Sequence, residues 1–136
     1  MYRADTTAPA NTNDPQGPTR SGRISFYVFN LDGGLGVGSY FQDALMAGTW
    51  IHVVGATDAT NAYLYRDGLL RKTEQYAPKI TPAHGSASLR IGTRDFKSFF
   101  QGAIREVGIW SRCLQASEVA ALHDNGVVPQ AGLVAE

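Results

Sequence analysis

Ala62-Tyr63-Leu64-Tyr65-Arg66-Asp67-Gly68-Leu69-Leu70-Arg71-Lys72 is the stretch that decides the fold. Two short runs of aromatic and aliphatic residues flank an Asp-Gly pair. That pair accepts the positive backbone angles of a tight two-residue turn, so the segment predicts an antiparallel hairpin. Just upstream, Trp50-Ile51-His52-Val53-Val54-Gly55-Ala56 is a further strand of the buried type.

The same signals extend in both directions. Arg23–Phe29 alternates, with Ile24, Phe26 and Val28 on one face. Asp32-Gly33-Gly34 is a hairpin-type turn, and Leu35–Phe41 returns with Leu35, Val37 and Ser39 on one side. After a loop punctuated by Pro78, Pro82 and Gly85, Ala87–Gly92 and Gly102–Ser111 are expected as strands, separated by a polar turn at Arg94-Asp95. A short helix follows over Glu118–Leu122, with Val119 and Leu122 on one side and Gly126 as its stop. Gln115 occupies the N-cap position, which Ser or Asp fills better, so the helix should be short and held by docking. Residues 1–22, rich in Pro, Asn, Thr and Gly, form a loop or ordered arm; 23–126 form the domain, and 127–136 a tail. Seven or more strands and one helix predict an all-β, antiparallel sandwich. A parallel sheet would need helices between strands, and the pattern offers none.

Composition narrows the function. The 136 residues suit one domain, and 43% hydrophobic content supports a core. Twelve Lys+Arg balance twelve Asp+Glu, and the basic residues are scattered, which argues against capture of nucleic acid. No apolar run reaches the roughly 20 residues of a membrane span, and Met1–Asp5 has no signal-peptide core. Cys113 is the single cysteine, so no internal disulfide forms.

Catalytic patterns are absent from the strands. Two carboxylates would have to flank a glycosidic bond. Same-face neighbours of Glu106 are Ile104, Gly108 and Trp110, and those of Glu74 are Lys72 and Tyr76. A pair assembled from separate loops stays open. His52 reads as a hydrogen-bonded core histidine, with general base or ligand as the alternative. His84 and His123 stand apart from it, which gives no zinc spacing. Cys113 reads as packing, as do Trp50 and Trp110. Asp32-Gly33-Gly34-Leu35-Gly36-Val37-Gly38 lacks the Lys and the helix of a phosphate loop.

No cofactor is expected, although Asp32, Asp43, Asp58, Asp95 and Glu106 are candidate calcium ligands on loops or strand ends. The candidate ligand-binding set is Tyr40, Phe41, Asp43, Tyr76, Asp95, Phe96 and Phe99, with Phe100 beside it. Aromatic faces stack on sugar rings, and nearby acids bind hydroxyls. The alternative is that these aromatics fill an interface.

Three stretches in order carry a family resemblance: Ala47–Val54, Tyr63–Gly68, and Leu89–Gly92 followed by Phe100–Leu114 and Glu118–Leu122. Their succession from about Arg23 to Gly126 resembles laminin-G-like, concanavalin A-like jelly-roll domains, the LamG/pentraxin modules. The resemblance implies a two-sheet jelly roll, usually non-catalytic, in secreted or cell-surface proteins. Members often bind glycans or proteins, some bind calcium, and a minority of the wider fold are glycoside hydrolases. Arg105 stands where the family usually has Asp in an Ile-Asp-Glu-Val strand, and Arg66 where it prefers an apolar residue. The resemblance also implies that the N-terminal strands are missing, leaving an exposed sheet edge. The expected ligand is therefore a glycan or a protein, without membrane insertion; a homo-oligomer formed through that edge is the first expectation for what completes the sheet, with residues 1–22 covering the gap, or the chain being a piece of something larger, as alternatives. A structural or self-assembly module is the second expectation, and a glycoside hydrolase relative the third.

Overall fold

Residues 24–29, 36–41, 46–76, 88–93 and 99–135 are described by the structure, a computed structural model of the chain. The central element is the hairpin read first. β4 (Asn61–Arg66) turns through Asp67 (φ 51°) and Gly68 (φ 77°) into β5 (Leu69–Gln75). Both central turn residues have positive φ, as the Asp-Gly pair requires. β3 (Val53–Thr57) pairs antiparallel on the other side of β4, giving the order β3-β4-β5. β1 (Ile24–Phe29) and β2 (Gly36–Phe41) form a separate antiparallel pair packed against β4 and β5.

Period-2 alternation gives β4 two buried faces. Leu64, fully buried, packs with Ile24, Phe26 and Ile51 between the two sheets. Gly55, opposite Leu64, leaves space for Phe26: a Cβ there would sit 2.4 Å from the ring. Tyr65 points the other way. It joins Ala56, Leu114 and Val119 in a second core, flanked by Val54, Tyr63, Trp110 and Cys113. That second face is covered by α1 (Ala116–Asn125) and the segment leading into it. A bulge between Leu64 and Tyr65 leaves Arg71 as the extra residue of β5, since Leu64 faces Lys72 and Tyr65 faces Leu70.

The helix starts at Gln115 and ends at Gly126, as the pattern predicts. Its weak N-cap is reinforced by Glu118, whose carboxylate accepts the Gln115 N–H at 2.8 Å. The same carboxylate takes both arms of Arg112, at 2.7 and 2.6 Å, while Arg112 Nε donates to the Ala131 carbonyl at 2.7 Å. Gly126, at φ 64°, donates to Leu122 O and Val127 to Ala121 O, closing the helix in a left-handed cap. The residues after Gly126 fold back: β7 (Leu133–Ala135) pairs with β6 (Ile109–Trp110), and Trp110 Nε1 donates to Pro129 O at 2.7 Å. The chain is thus mostly β, with antiparallel sheets and one short C-terminal helix.

Several local expectations are corrected. Gly102–Ser111 is a strand only at Ile109–Trp110, because Glu106 sits at φ 56°, a conformation that cannot continue a pleated ladder. Ser88–Gly92 joins no strand, and Thr93 makes one isolated bridge to Phe99. Trp50 is not core: it precedes β3, is 58% exposed, and carries the Arg105 guanidinium over its ring at 5.3 Å. Arg66 is mostly buried, and its Nε pairs with Asp67 Oδ2 at 3.1 Å, which offsets part of the cost of placing a charge there. The turn expected at 32–34 lies outside the described residues.

Candidate binding cleft

The turn from β3 to β4 is built around one carboxylate. Asp58 Oδ1 accepts the backbone N–H of Thr60 and of Asn61, each at 2.7 Å, and the Thr60 hydroxyl at 3.0 Å. This is the Asp side chain standing in for a backbone turn. Two residues into β4, the Tyr63 hydroxyl donates to Asp58 Oδ2 at 2.6 Å. The Tyr63 bond, followed by those from the backbone, holds the Asp58 carboxyl down at about 2, against an ordinary 3.8. The same bond raises the Tyr63 phenol. Asp58 is therefore a fixed, ionised acceptor near the surface.

Asp58 and Tyr63 line a cleft of about 330 Å³ together with Tyr65, Leu70, Cys113 and Gln115. β4 contributes the tyrosines because odd-numbered residues face the helix side. The start of α1 contributes Gln115 because the Arg112–Glu118 fork fixes the approach to the helix. Burial, then the Asp58 charge, pushes the Cys113 thiol up, so it is not a thiolate nucleophile at neutral pH. Burial likewise raises the Tyr65 phenol. Among the described lining residues, Asp58 is the single carboxylate. The chemistry on offer is hydrogen-bond acceptance, an amide, and tyrosine surface.

Of the residues expected from sequence, Tyr40, Tyr76 and Phe99 do not line this cleft. Tyr76 is tied to the β3–β4 turn: its N–H donates to Thr60 O at 2.8 Å, and its hydroxyl is buried with no partner among the described residues. Burial, then the Asp58 charge, raises its phenol. Tyr40 and Phe41 are in β2, opposite Ser25 and Ile24. Phe99, the partner of Thr93 in the isolated bridge, is 67% exposed. Asp43, Asp95 and Phe96 lie outside the described residues. Of the cation candidates, Asp58 is engaged in its turn, Glu106 pairs with Arg105 at 3.1 Å, and Asp32, Asp43 and Asp95 lie outside the described residues. No group of three or more His, Cys, Asp or Glu gathers among the described residues.

Tyr63, Tyr65 and Gln115 were not expected as site residues. The signal that could have found the first is Asp58-Ala59-Thr60-Asn61, a side-chain turn motif, followed by an aromatic two residues beyond it. His123 does not stand apart from His52: their ring centroids are 5.6 Å apart. Nor is His52 a satisfied core histidine, because its Nδ1 is buried with no hydrogen-bond partner among the described residues.

A model of the concanavalin A-like lectin/glucanases superfamily matches residues 9–120. Among solved structures, the chain is similar to residues 221–444 of an S-layer domain-containing protein from Clostridium thermocellum ATCC 27405. Identity is 19% and the TM-score 0.43, over 79% of this chain and 54% of that one. The chain thus spans about half the length of that structure. No curated protein matches it.

Proposed function

Because the chain belongs to the concanavalin A-like lectin/glucanase superfamily, we propose that it is a non-catalytic, lectin-like module that binds carbohydrate. The observation that supports this reading is the cleft lined by a fixed Asp58 carboxylate, which is hydrogen-bonded to Tyr63, together with Tyr65 and Gln115. A carboxylate and an amide pair with vicinal sugar hydroxyls, and tyrosine surface covers the apolar side of a sugar ring. The Asp58 charge, the single carboxylate among the described lining residues, favours neutral, hydroxyl-rich sugars over carboxylated or sulfated ones.

The reading is non-catalytic because hydrolysis through a carboxylate pair needs a second acid opposite the first, and Asp58 already has one oxygen committed to three donors. A glycan array followed by calorimetry on the best ligand tests the proposal. Asp58→Asn should weaken binding about tenfold or more, as expected for losing hydrogen bonds to a charged acceptor. An array with no bound glycan would remove the reading, and release of reducing sugar from a soluble polysaccharide would replace it with a hydrolase.

A second reading, a self-assembly or protein-interaction module, is favoured by exposed apolar side chains at Trp50, Leu69, Leu89, Ile91 and Ile104. Light scattering separates the two: a tight oligomer without glycan binding selects assembly.

A further inference from the structure

The turn between β4 and β5 is tied to the chain just ahead of β3 by a reciprocal pair of bonds. The His52 N–H donates to Asp67 Oδ1 at 2.9 Å, and the Asp67 N–H donates to His52 O at 2.9 Å. Gly68, at the tip of that turn, is packed beneath the last turn of α1. A Cβ on it would lie 3.3 Å from both Cβ and Nδ1 of His123. The His52 and His123 rings therefore meet across the seam between hairpin and helix, tilted by 37° at 5.6 Å.

We propose that this seam is a proton-sensitive latch: protonation of His52 undocks the C-terminal end of α1 from the β4–β5 turn and loosens the cleft wall that α1 carries. The geometry gives a protonated His52 no acceptor at Nδ1 among the described residues. An imidazolium must donate from both nitrogens, and this one is buried. The nearest acid, Asp67, already has Oδ1 on the His52 backbone N–H and Oδ2 on Arg66 Nε. The His123 ring faces that of His52, with its Nδ1 2.7 Å from Asp124 Oδ1. Asp67, Arg66, His123 and Asp124 are the charged or titratable groups that the turn and the helix bring to this seam.

Burial first, then His123, lowers the His52 imidazole below its ordinary 6.5, and Asp67 opposes them only in part. The docked form is thus the poorer proton acceptor. Opening the seam hydrates Nδ1 and separates the two rings, so the open form gains population as pH falls below 6.5. The helix transmits this to the cleft because its first turn and the preceding Leu114 and Gln115 form one wall.

Amide hydrogen exchange across α1, corrected for intrinsic rates, tests the latch without any ligand, at about pH 7.5 and about pH 5. Protection of the last helical turn should fall several-fold in acid. His52→Phe, which keeps a ring and removes the proton, should abolish most of that fall, and His123→Gln should reduce it. Equal loss of protection in the parent and in His52→Phe would overturn the proposal. Should His52→Phe fail to fold, the ring-proton shift of His52 in the parent decides: a midpoint at or above the ordinary histidine value overturns it. A cleft that binds no glycan would leave this outcome unaffected.

Discussion

Tyr63 donates its phenolic proton to Asp58 at 2.6 Å, so the strand leaving the β3–β4 turn holds the carboxylate that built the turn. The bond makes the turn sensitive to acid. The Asp58 carboxyl sits at about 2 in the fold and near 3.8 outside it. Its contribution is whole above pH 3.8 and is lost as pH falls through about 2. Because Asp58 is near the surface, solvent screens the effect and it should be small. Carboxyl carbon shifts should show Asp58 titrating higher in Tyr63→Phe than in the parent, and an unchanged midpoint would contradict the assignment.

Cys113 gives a chemical probe of the cleft. Its thiol is raised by burial and by Asp58, so alkylation near neutral pH should be slow and should accelerate as pH rises. Any ligand that enters the cleft should slow the reaction further, since Cys113 is part of its wall. Mass spectrometry of the alkylated protein reads both effects. Rapid labelling at pH 7, unaffected by a bound glycan, would place the ligand elsewhere.

Arg112 joins the helix to the residues that follow it. Its two terminal nitrogens engage Glu118 and its Nε engages Ala131 O, a planar pattern that lysine cannot reproduce. Arg112→Lys should lower the melting temperature and reduce the circular-dichroism signal of α1. Glu118 is held at about 2 by Arg112 first and the Gln115 N–H second, so its share of stability is present above 4.5 and fades as pH drops through about 2. A lysine variant that melts with the parent would show that the fork contributes nothing.

Leu64 is fully enclosed between the two sheets. Leu64→Ala should cost about 2–5 kcal/mol, the range for an aliphatic side chain whose cavity cannot close. Denaturant unfolding measures it at an unchanged slope, and a loss under about 1 kcal/mol would mean that the sheets collapse into the space.

Local chemistry was legible in the sequence, and tertiary placement was not. The Asp67-Gly68 turn and the stop at Gly126 follow from what glycine and aspartate allow at positive φ, and both stand where the pattern puts them. The two faces of β4 follow from alternation. Glu106 defeats the same reasoning: nothing about glutamate announces a left-handed conformation, so the strand expected through it breaks. Trp50 reads as core because tryptophan is usually enclosed, yet its ring is spent on Arg105. The cleft was illegible for another reason. Asp58 and Gln115 are far apart in the chain, and only the packing of α1 on the odd-numbered side of β4 brings them to one place.

That arrangement gives β4 a role beyond pairing with its neighbours. Leu64 belongs to the layer shared with β1, while Tyr65 belongs to the layer under the helix, and both are on one six-residue strand. Neither layer can melt while the other keeps its shape, because each would strip the strand that the other rests on. Heating should consequently break the described regions in a single calorimetric event, with the hairpin as the common hinge of both halves.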